Sequence, residues 1–251
     1  MIKIFIRLNS MLNLIQQIGI YQLFKYLFTP NGGKLSLLIK GNRIYIRKGT
    51  PDLNVAISCF YGEYEILRYL FPPNYNGLFI DAGGYIGTST LCLKSMFPNS
   101  KIIVIEPSKE NLLMLKENLN YTNDVKIVHG ALVGTEAKSI KLFNRNTGHW
   151  GYTVVTKPKD RPNSLPMYEV PSYRLSDLIP VNTTIGLLKL DIEGGELSLL
   201  SNEINAMKNI KVVFAELHER IAPGCEEKFF EFSKDRILIK DFYEKFLSIK
   251  K

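Results

Sequence analysis

The chain has 251 residues, 45% of them hydrophobic and 22% charged, with a formal net charge of +8. That length buries a full α/β core as one domain with extensions, and the composition excludes a disordered or fibrous chain. Three widely spaced cysteines, Cys59, Cys92 and Cys225, exclude a disulfide framework and predict reduced thiols in a cytoplasmic setting; His129, His149 and His218 are too scattered for a linear zinc motif.

The charge is uneven. Lys3, Arg7, Lys25, Lys34, Lys40, Arg43, Arg47 and Lys48 all precede the first acid, Asp52, which leaves 24 basic residues against 24 acids in the remainder. A basic head on a neutral body predicts that the head meets an anionic surface. Within residues 2–28, Ile4, Phe5, Leu8, Leu12, Ile15, Ile18, Leu23, Leu27 and Phe28 recur near helical spacing, so a helix lying on a membrane is expected. Packing on the sheet or on a partner subunit is the alternative. Polar interruptions such as Arg7, Asn13 and Gln16 exclude a membrane span, and a signal-peptide cleavage site is missing. Residues 1–48 therefore read as a helical and hairpin extension, and 49–251 as the main domain.

Residues 35–38 and 43–46 alternate around Gly41-Asn42 and predict a hairpin; residues 54–70 predict one helix, stopped at Pro72-Pro73. The run Leu78-Phe79-Ile80-Asp81 then ends on a carboxylate and turns through Ala82-Gly83-Gly84-Tyr85-Ile86-Gly87. Such a turn brings a ligand against bare backbone. Asp81 beside it repels a pyrophosphate and attracts ammonium and sulfonium groups, so S-adenosylmethionine is expected there. A dinucleotide also fails on Ala82, which stands where G-x-G-x-x-G needs its first glycine.

After a helix at 86–97, a second apolar run closes on Glu106, placed for both hydroxyls of an adenosine ribose; capping of the next helix with Ser108 is the alternative. A helix at 109–119 and a strand at 125–129 follow, and Gly130-Ala131-Leu132 reaches the same edge, where Ala131 is expected against adenine. This rhythm predicts a parallel sheet with right-handed crossovers. It breaks at 139–171, a polar, proline-bearing insertion with Gly148-His149-Trp150-Gly151. A lid or substrate loop is expected, with Trp150 stacking on a sugar ring or only packing. The strand Gly186-Leu187-Leu188-Lys189-Leu190-Asp191 resumes the pattern and turns through Ile192-Glu193-Gly194-Gly195-Glu196; a last strand at 210–215 stops at Glu216, then His218 and Glu219. Four of five strand tips at one edge carry an acid, and that edge is the ligand crevice of a parallel sheet.

With these pieces, and with Gly49-Thr50-Pro51-Asp52, Gly62-Glu63-Tyr64-Glu65 and Ile105-Glu106-Pro107, the chain resembles the FkbM-type methyltransferases, a class I S-adenosylmethionine family. The resemblance runs from Gly49 to about His218, and Asp191-Ile192-Glu193-Gly194-Gly195-Glu196 is its most specific part. It implies a Rossmann-like α/β sheet, mostly parallel, with helices on both faces and a reversed last hairpin. It also implies methyl transfer to a hydroxyl, often on a sugar, glycolipid or polyketide. Tyr85 stands where the family often has Asn, which changes the hydrogen bonds at that turn.

In-line methyl transfer needs an aligned acceptor oxygen and a proton acceptor. Asp191, Glu193, Glu216 and His218 are the expected catalytic set, with His218 as a base oriented by a neighbouring carboxylate. A divalent ion on Asp191 and Glu216 is a second route, and helix N-terminal stabilisation is the bland role for Glu193 and Glu196. For the cofactor, Asp81 and the amides of Gly83, Gly84 and Tyr85 are expected to hold the methionine part, and Glu65 its ammonium. The basic head raises nucleic-acid methylation as an alternative, opposed by the neutral body, and no nucleic-acid partner is expected. An inactive membrane-associated scaffold is the non-enzymatic alternative.

Overall fold

A basic amphipathic segment leads into alternating strands and helices, and the chain folds in that order. The structure, a computed structural model, describes residues 12–180, 183–240 and 245–251. The head's expected helical positions Ile4, Phe5 and Leu8, with Lys3 and Arg7, lie outside the described residues. Helix α1 (Ile20–Phe28) is followed by the hairpin β1 (Lys34–Ile39) and β2 (Asn42–Arg47), then by α2 (Asp52–Ser58). The hairpin turns at Lys40 and Gly41, both at positive φ, one residue earlier than the pattern suggested.

The single helix expected over 54–70 is broken. Gly62 takes φ 148, a conformation open to glycine, so α2 unwinds through a wide turn at Cys59–Glu63 and restarts as a short 3₁₀ turn at Glu65–Tyr69. The break turns Glu63 inward and leaves Glu65 on the surface.

Next come β3 (Leu78–Ala82), α3 (Thr88–Met96), β4 (Lys101–Glu106), α4 (Lys109–Asn118) and β5 (Val125–His129). The expected irregular insertion is partly strand: β7 (Ser139–Asn144), β8 (Tyr152–Thr153) and β9 (Leu165–Tyr173) join β6 (Ala131–Leu132) in a small sheet in the order β6-β9-β7-β8, with 145–151 and 154–164 irregular. The chain continues through α5 (Leu175–Leu178), β10 (Ile185–Leu190), α6 (Glu196–Asn202), α7 (Ile204–Met207), β11 (Val212–Glu216), α8 (Cys225–Phe232), β12 (Arg236–Lys240) and β13 (Lys245–Lys250).

The main sheet has the order β12-β13-β11-β10-β3-β4-β5. Its pairs from β11 to β5 are parallel, and β13 runs antiparallel to β11, which is the reversed last hairpin. Alternate residues of each central strand feed opposite faces. Phe79, Leu187 and Phe214 join α2, α3 and the hairpin in one core, whereas Ile80, Leu188 and Val213 join α6 and α8 in another. Burial on both faces explains why these strands read as unbroken apolar runs. The fold is α/β, with a mostly parallel Rossmann-like sheet covered on both sides. Among the described residues no helix is long and apolar enough to cross a membrane.

Candidate active site and cofactor cavity

Where β3 and β10 leave the sheet in opposite directions, a cavity of about 590 Å³ opens at their carboxyl ends. This is the position where open parallel sheets bind ligands, and the volume suits a small molecule. Ile105, Ala131, Leu132, Leu142 and Tyr152 make one end apolar; Glu63, Asp191, Glu193, Glu216, Lys189 and Lys245 make the other charged. Glu106 faces the cavity between them.

The turn after β3 is built by exclusion. Gly83 has φ 82, and a Cβ there would lie 1.7 Å from the Asp191 carbonyl oxygen, so only glycine lets the two strand ends meet. Gly83 lines the cavity, but Gly84 does not: its Cα packs on β4, where a Cβ would come 2.3 Å from Val104 Cγ2. Gly84 is thus a packing residue, a correction to its expected role at the cofactor. Tyr85 sits at φ 48 with its side chain at the cavity. Its hydroxyl donates to Asp52 Oδ1 at 2.5 Å, and Arg47 grips the same carboxylate at 2.9 Å. Burial opposes ionisation of Asp52, yet the hydrogen bonds from Arg47 and Tyr85 hold it below the ordinary carboxylate value.

Glu106 is fixed at both oxygens. Oε2 accepts the Tyr85 N–H and Oε1 the Ser108 N–H, each at 2.8 Å. Burial still raises its pKa to about 7. Ser108 caps α4, its Oγ accepting the Asn111 N–H at 3.2 Å, and Glu106 holds the Ser108 N–H, so the helix-start role named as the alternative is filled while the carboxylate also lines the cavity.

Two expected cofactor residues are placed elsewhere. Asp81 is fully buried behind the turn: Oδ2 accepts from Ser89 Oγ at 2.5 Å and Thr90 Oγ1 at 2.7 Å, and Oδ1 lies 3.3 Å from Lys189 Nζ. Its charge is spent on that lysine and on the start of α3, so it does not select the ligand. Glu65 points away from the cavity, half-exposed and paired with Arg68 at 2.8 Å. Glu63 lines the cavity in its place, bonded to Lys245 at 3.1 Å. Ala131 lies at the apolar end.

Lys189 was missed as a site residue, although a lysine inside Leu187-Leu188-Lys189-Leu190 is itself the signal. Its ammonium bonds the Gly83 carbonyl at 2.6 Å and lies 3.3 Å from both Asp81 and Asp191. Burial opposes its charge, but the fields of Asp191 and Asp81 win and keep it protonated. Lys245, on the last strand, had no signal short of the sheet topology.

Asp191, Glu193, Glu216 and His218 converge as expected. His218 is 1% exposed and lies behind the three carboxylates. Its Nδ1 is 2.9 Å from Glu196 Oε1, while Nε2 makes no hydrogen bond and is 3.8, 3.7 and 3.8 Å from Asp191, Glu193 and Glu216. Glu196, fully buried, also accepts the Ile192 and Gly194 N–H groups, so its role is to lock the turn and the imidazole. Burial opposes the imidazolium, yet Glu196 and then Glu193 and Asp191 carry its pKa up to about 10. At neutral pH the imidazole therefore holds its proton, against the expectation that it serves as base. Burial lifts Glu193 to about 7 and also raises Glu216; it opposes Asp191 too, but Lys189 and His218 hold Asp191 low.

Residues 81–238 match the methyltransferase FkbM domain. The chain belongs to this family. It is 27% identical over 139 residues to Methyltransferase 1 of Beauveria bassiana (strain ARSEF 2860), a match covering 48% of this chain and 56% of that protein. The chain thus spans about half the length of the curated relative it matches. Among solved structures it is similar to a precorrin-6y C5,15-methyltransferase from Geobacter metallireducens GS-15 (14% identity, 70% of this chain and 81% of that one, TM-score 0.39). It is also similar to a putative rRNA methylase from Clostridium thermocellum (12%, 75% and 93%, TM-score 0.45).

Proposed function

We propose that the protein is an S-adenosylmethionine-dependent O-methyltransferase acting on a hydroxyl of a sugar or glycolipid. One observation carries this reading: a single cavity runs from an apolar floor, past an amide-anchored carboxylate, to a cluster of acids. S-adenosylmethionine supplies a methyl group on a sulfonium. Ala131 and Leu132 suit an adenine, and Glu106 suits two ribose hydroxyls. The cavity holds five carboxylates, Glu63, Glu106, Asp191, Glu193 and Glu216, against two ammonium groups, Lys189 and Lys245, and this excess favours a cationic ligand. The argument first made for Asp81 passes to this lining as a whole.

At the acid end the chain must hold an acceptor hydroxyl and take its proton. Glu193 is assigned as the base, because it borders the cavity and burial weakens its hold on its negative charge. Asp191 stays ionised beside Lys189. His218 is a positioning residue that gathers the three carboxylates.

A divalent ion is a second reading, favoured by the donor set. One ligand atom from each of Asp191, Glu193 and His218 lies within 4.8 Å of the others. Glu196 on Nδ1 leaves Nε2 facing the carboxylates, the outer-shell arrangement that orients metal-bound imidazoles. An ion there would replace the imidazole proton and acidify the acceptor hydroxyl. Activity abolished by a chelator and restored by Mg²⁺ or Mn²⁺ supports it; chelator-insensitive activity removes it.

Calorimetry with S-adenosylmethionine, followed by labelled methyl transfer into polysaccharide and lipid extracts, tests the main reading. Absence of binding overturns it, and label appearing in RNA or DNA instead overturns the acceptor. We place the protein in the cytoplasm, at a membrane surface through α1. Ile20, Tyr21, Phe24, Leu27 and Phe28 are all at least half-exposed on one face of that helix, while Leu23 is buried on the other, within a head that has no acid. Binding to anionic phosphatidylglycerol vesicles that is lost with Phe24→Asp and Phe28→Asp supports this placement.

A further inference from the structure

A second cavity of about 320 Å³ adjoins the first and shares Trp150, Glu193 and Glu216 with it. Its remaining walls are Arg145, Thr147, Asp160, Arg161 and Arg220, all outside the residues assigned to cofactor or proton transfer. The chambers therefore meet at two carboxylates and the indole, as the sites of two substrates of one transfer must meet.

The second chamber is polar and incompletely bonded. Arg145 is 4% exposed; its two terminal nitrogens are held by Glu193 and Asp160, but Nε has no partner among the described residues. Among the same residues Thr147 Oγ1 and Asp160 Oδ1 are also buried without a hydrogen bond. Buried polar atoms are almost always paired in a folded chain, so three together in one cavity point to a ligand that completes them. The three form a mixed set. Arg145 Nε can only donate, a carboxylate oxygen of Asp160 accepts, and the threonine hydroxyl does both.

The hairpin between β7 and β8 is built to hold this set. A Cβ on Gly151 would lie 1.7 Å from Thr147 Oγ1, so glycine is what leaves room for the hydroxyl. Trp150 Nε1 donates to the Thr147 carbonyl at 2.6 Å, which fixes the indole at the chamber wall, where it is 46% exposed.

We propose that this second chamber is the acceptor subsite and that it takes the ring of a neutral sugar, which rests on the O-methyltransferase reading above. Vicinal hydroxyls both donate and accept, so they complete Arg145, Thr147 and Asp160 together, and the C–H face of the ring covers the indole. A phenol or an alkyl chain leaves all three atoms unpaired. A phosphate brings an anion against Asp160. Bound this way, a ring hydroxyl reaches the shared wall at Glu193, and the base and the sugar reader are linked through Arg145.

Saturation-transfer NMR on protein loaded with S-adenosylhomocysteine tests the proposal, with the methyl glycosides of glucose, galactose, mannose, rhamnose and fucose as probes and catechol as control. At least one glycoside is expected to bind. Thr147→Val, which keeps the shape and removes the hydroxyl, should weaken it about tenfold with the S-adenosylhomocysteine affinity unchanged, and Trp150→Ala should abolish it. Catechol binding without any glycoside, no binding by any probe, or glycoside binding indifferent to both variants overturns the proposal. Failure of wild-type protein to bind S-adenosylhomocysteine is a different result: it overturns the methyltransferase reading and takes this inference with it.

Discussion

The two halves of the sheet's carboxyl edge use the same device, an acid at a strand tip, to opposite ends. On the β3–β4 side each carboxylate is held by fixed partners: Asp81 by two hydroxyls on Oδ2 and an ion pair to Lys189 at Oδ1, Glu106 by two backbone N–H groups. On the β10–β11 side three carboxylates crowd one imidazole whose Nε2 hydrogen-bonds none of them. Acids held this way make a rigid floor that recognises a ligand. Burial displaces Glu106 and Glu193 alike, to about 7, but only the crowded acids share one imidazole, and such a coupled cluster suits proton transfer.

The largest effect is expected on the crowded side. Glu193→Gln should lower the rate of methyl transfer by about 10²–10⁴-fold while leaving S-adenosylhomocysteine affinity nearly intact, as read by steady-state kinetics and calorimetry. An unchanged rate would move the base elsewhere. On the β3–β4 side the expected loss is structural: Lys189→Met strands buried Asp81 without its counter-ion and should cost about 3–5 kcal/mol in urea unfolding. Adding Asp81→Asn should recover part of it, and a Lys189→Met protein of native stability would break the contrast.

Glu106 sharpens the comparison through pH. It is protonated below about 7, and its ionised form is the one that accepts two ribose hydroxyls, so affinity should be full at pH 8 and fall as pH drops through 7. If only the ionised form binds, S-adenosylhomocysteine should bind about tenfold more weakly at pH 6 than at pH 8, and Glu106→Gln should flatten that dependence. The smallest effect is expected at Glu65. Its exposed pair with Arg68 is worth under about 1 kcal/mol, so Glu65→Ala should leave both stability and ligand affinity close to wild type. The same change at Glu63 should weaken ligand binding.

The sheet was legible because strands buried on both faces leave continuous apolar runs, and their acid tips mark one edge. The placements of Glu65 and Glu63 were not, since a single glycine at φ 148 just ahead of both breaks the helix and helical periodicity cannot register that. Asp81 misled for a related reason. A charged residue beside a glycine turn reads as facing the ligand, and only the neighbouring strand's Lys189 reveals that it faces inward. The second chamber was visible only as an aromatic among glycines, because Arg145, Thr147 and Asp160 meet across a hairpin and a loop.

Lys245 binds Glu63 and approaches Glu216 from the first residue of β13, a strand that lies between β11 and β12. That strand thus bolts the early covering turn to the sheet. On the ribosome, a nascent chain can assemble the first crossovers long before the bolt emerges, so the ability to hold a small molecule waits for β13.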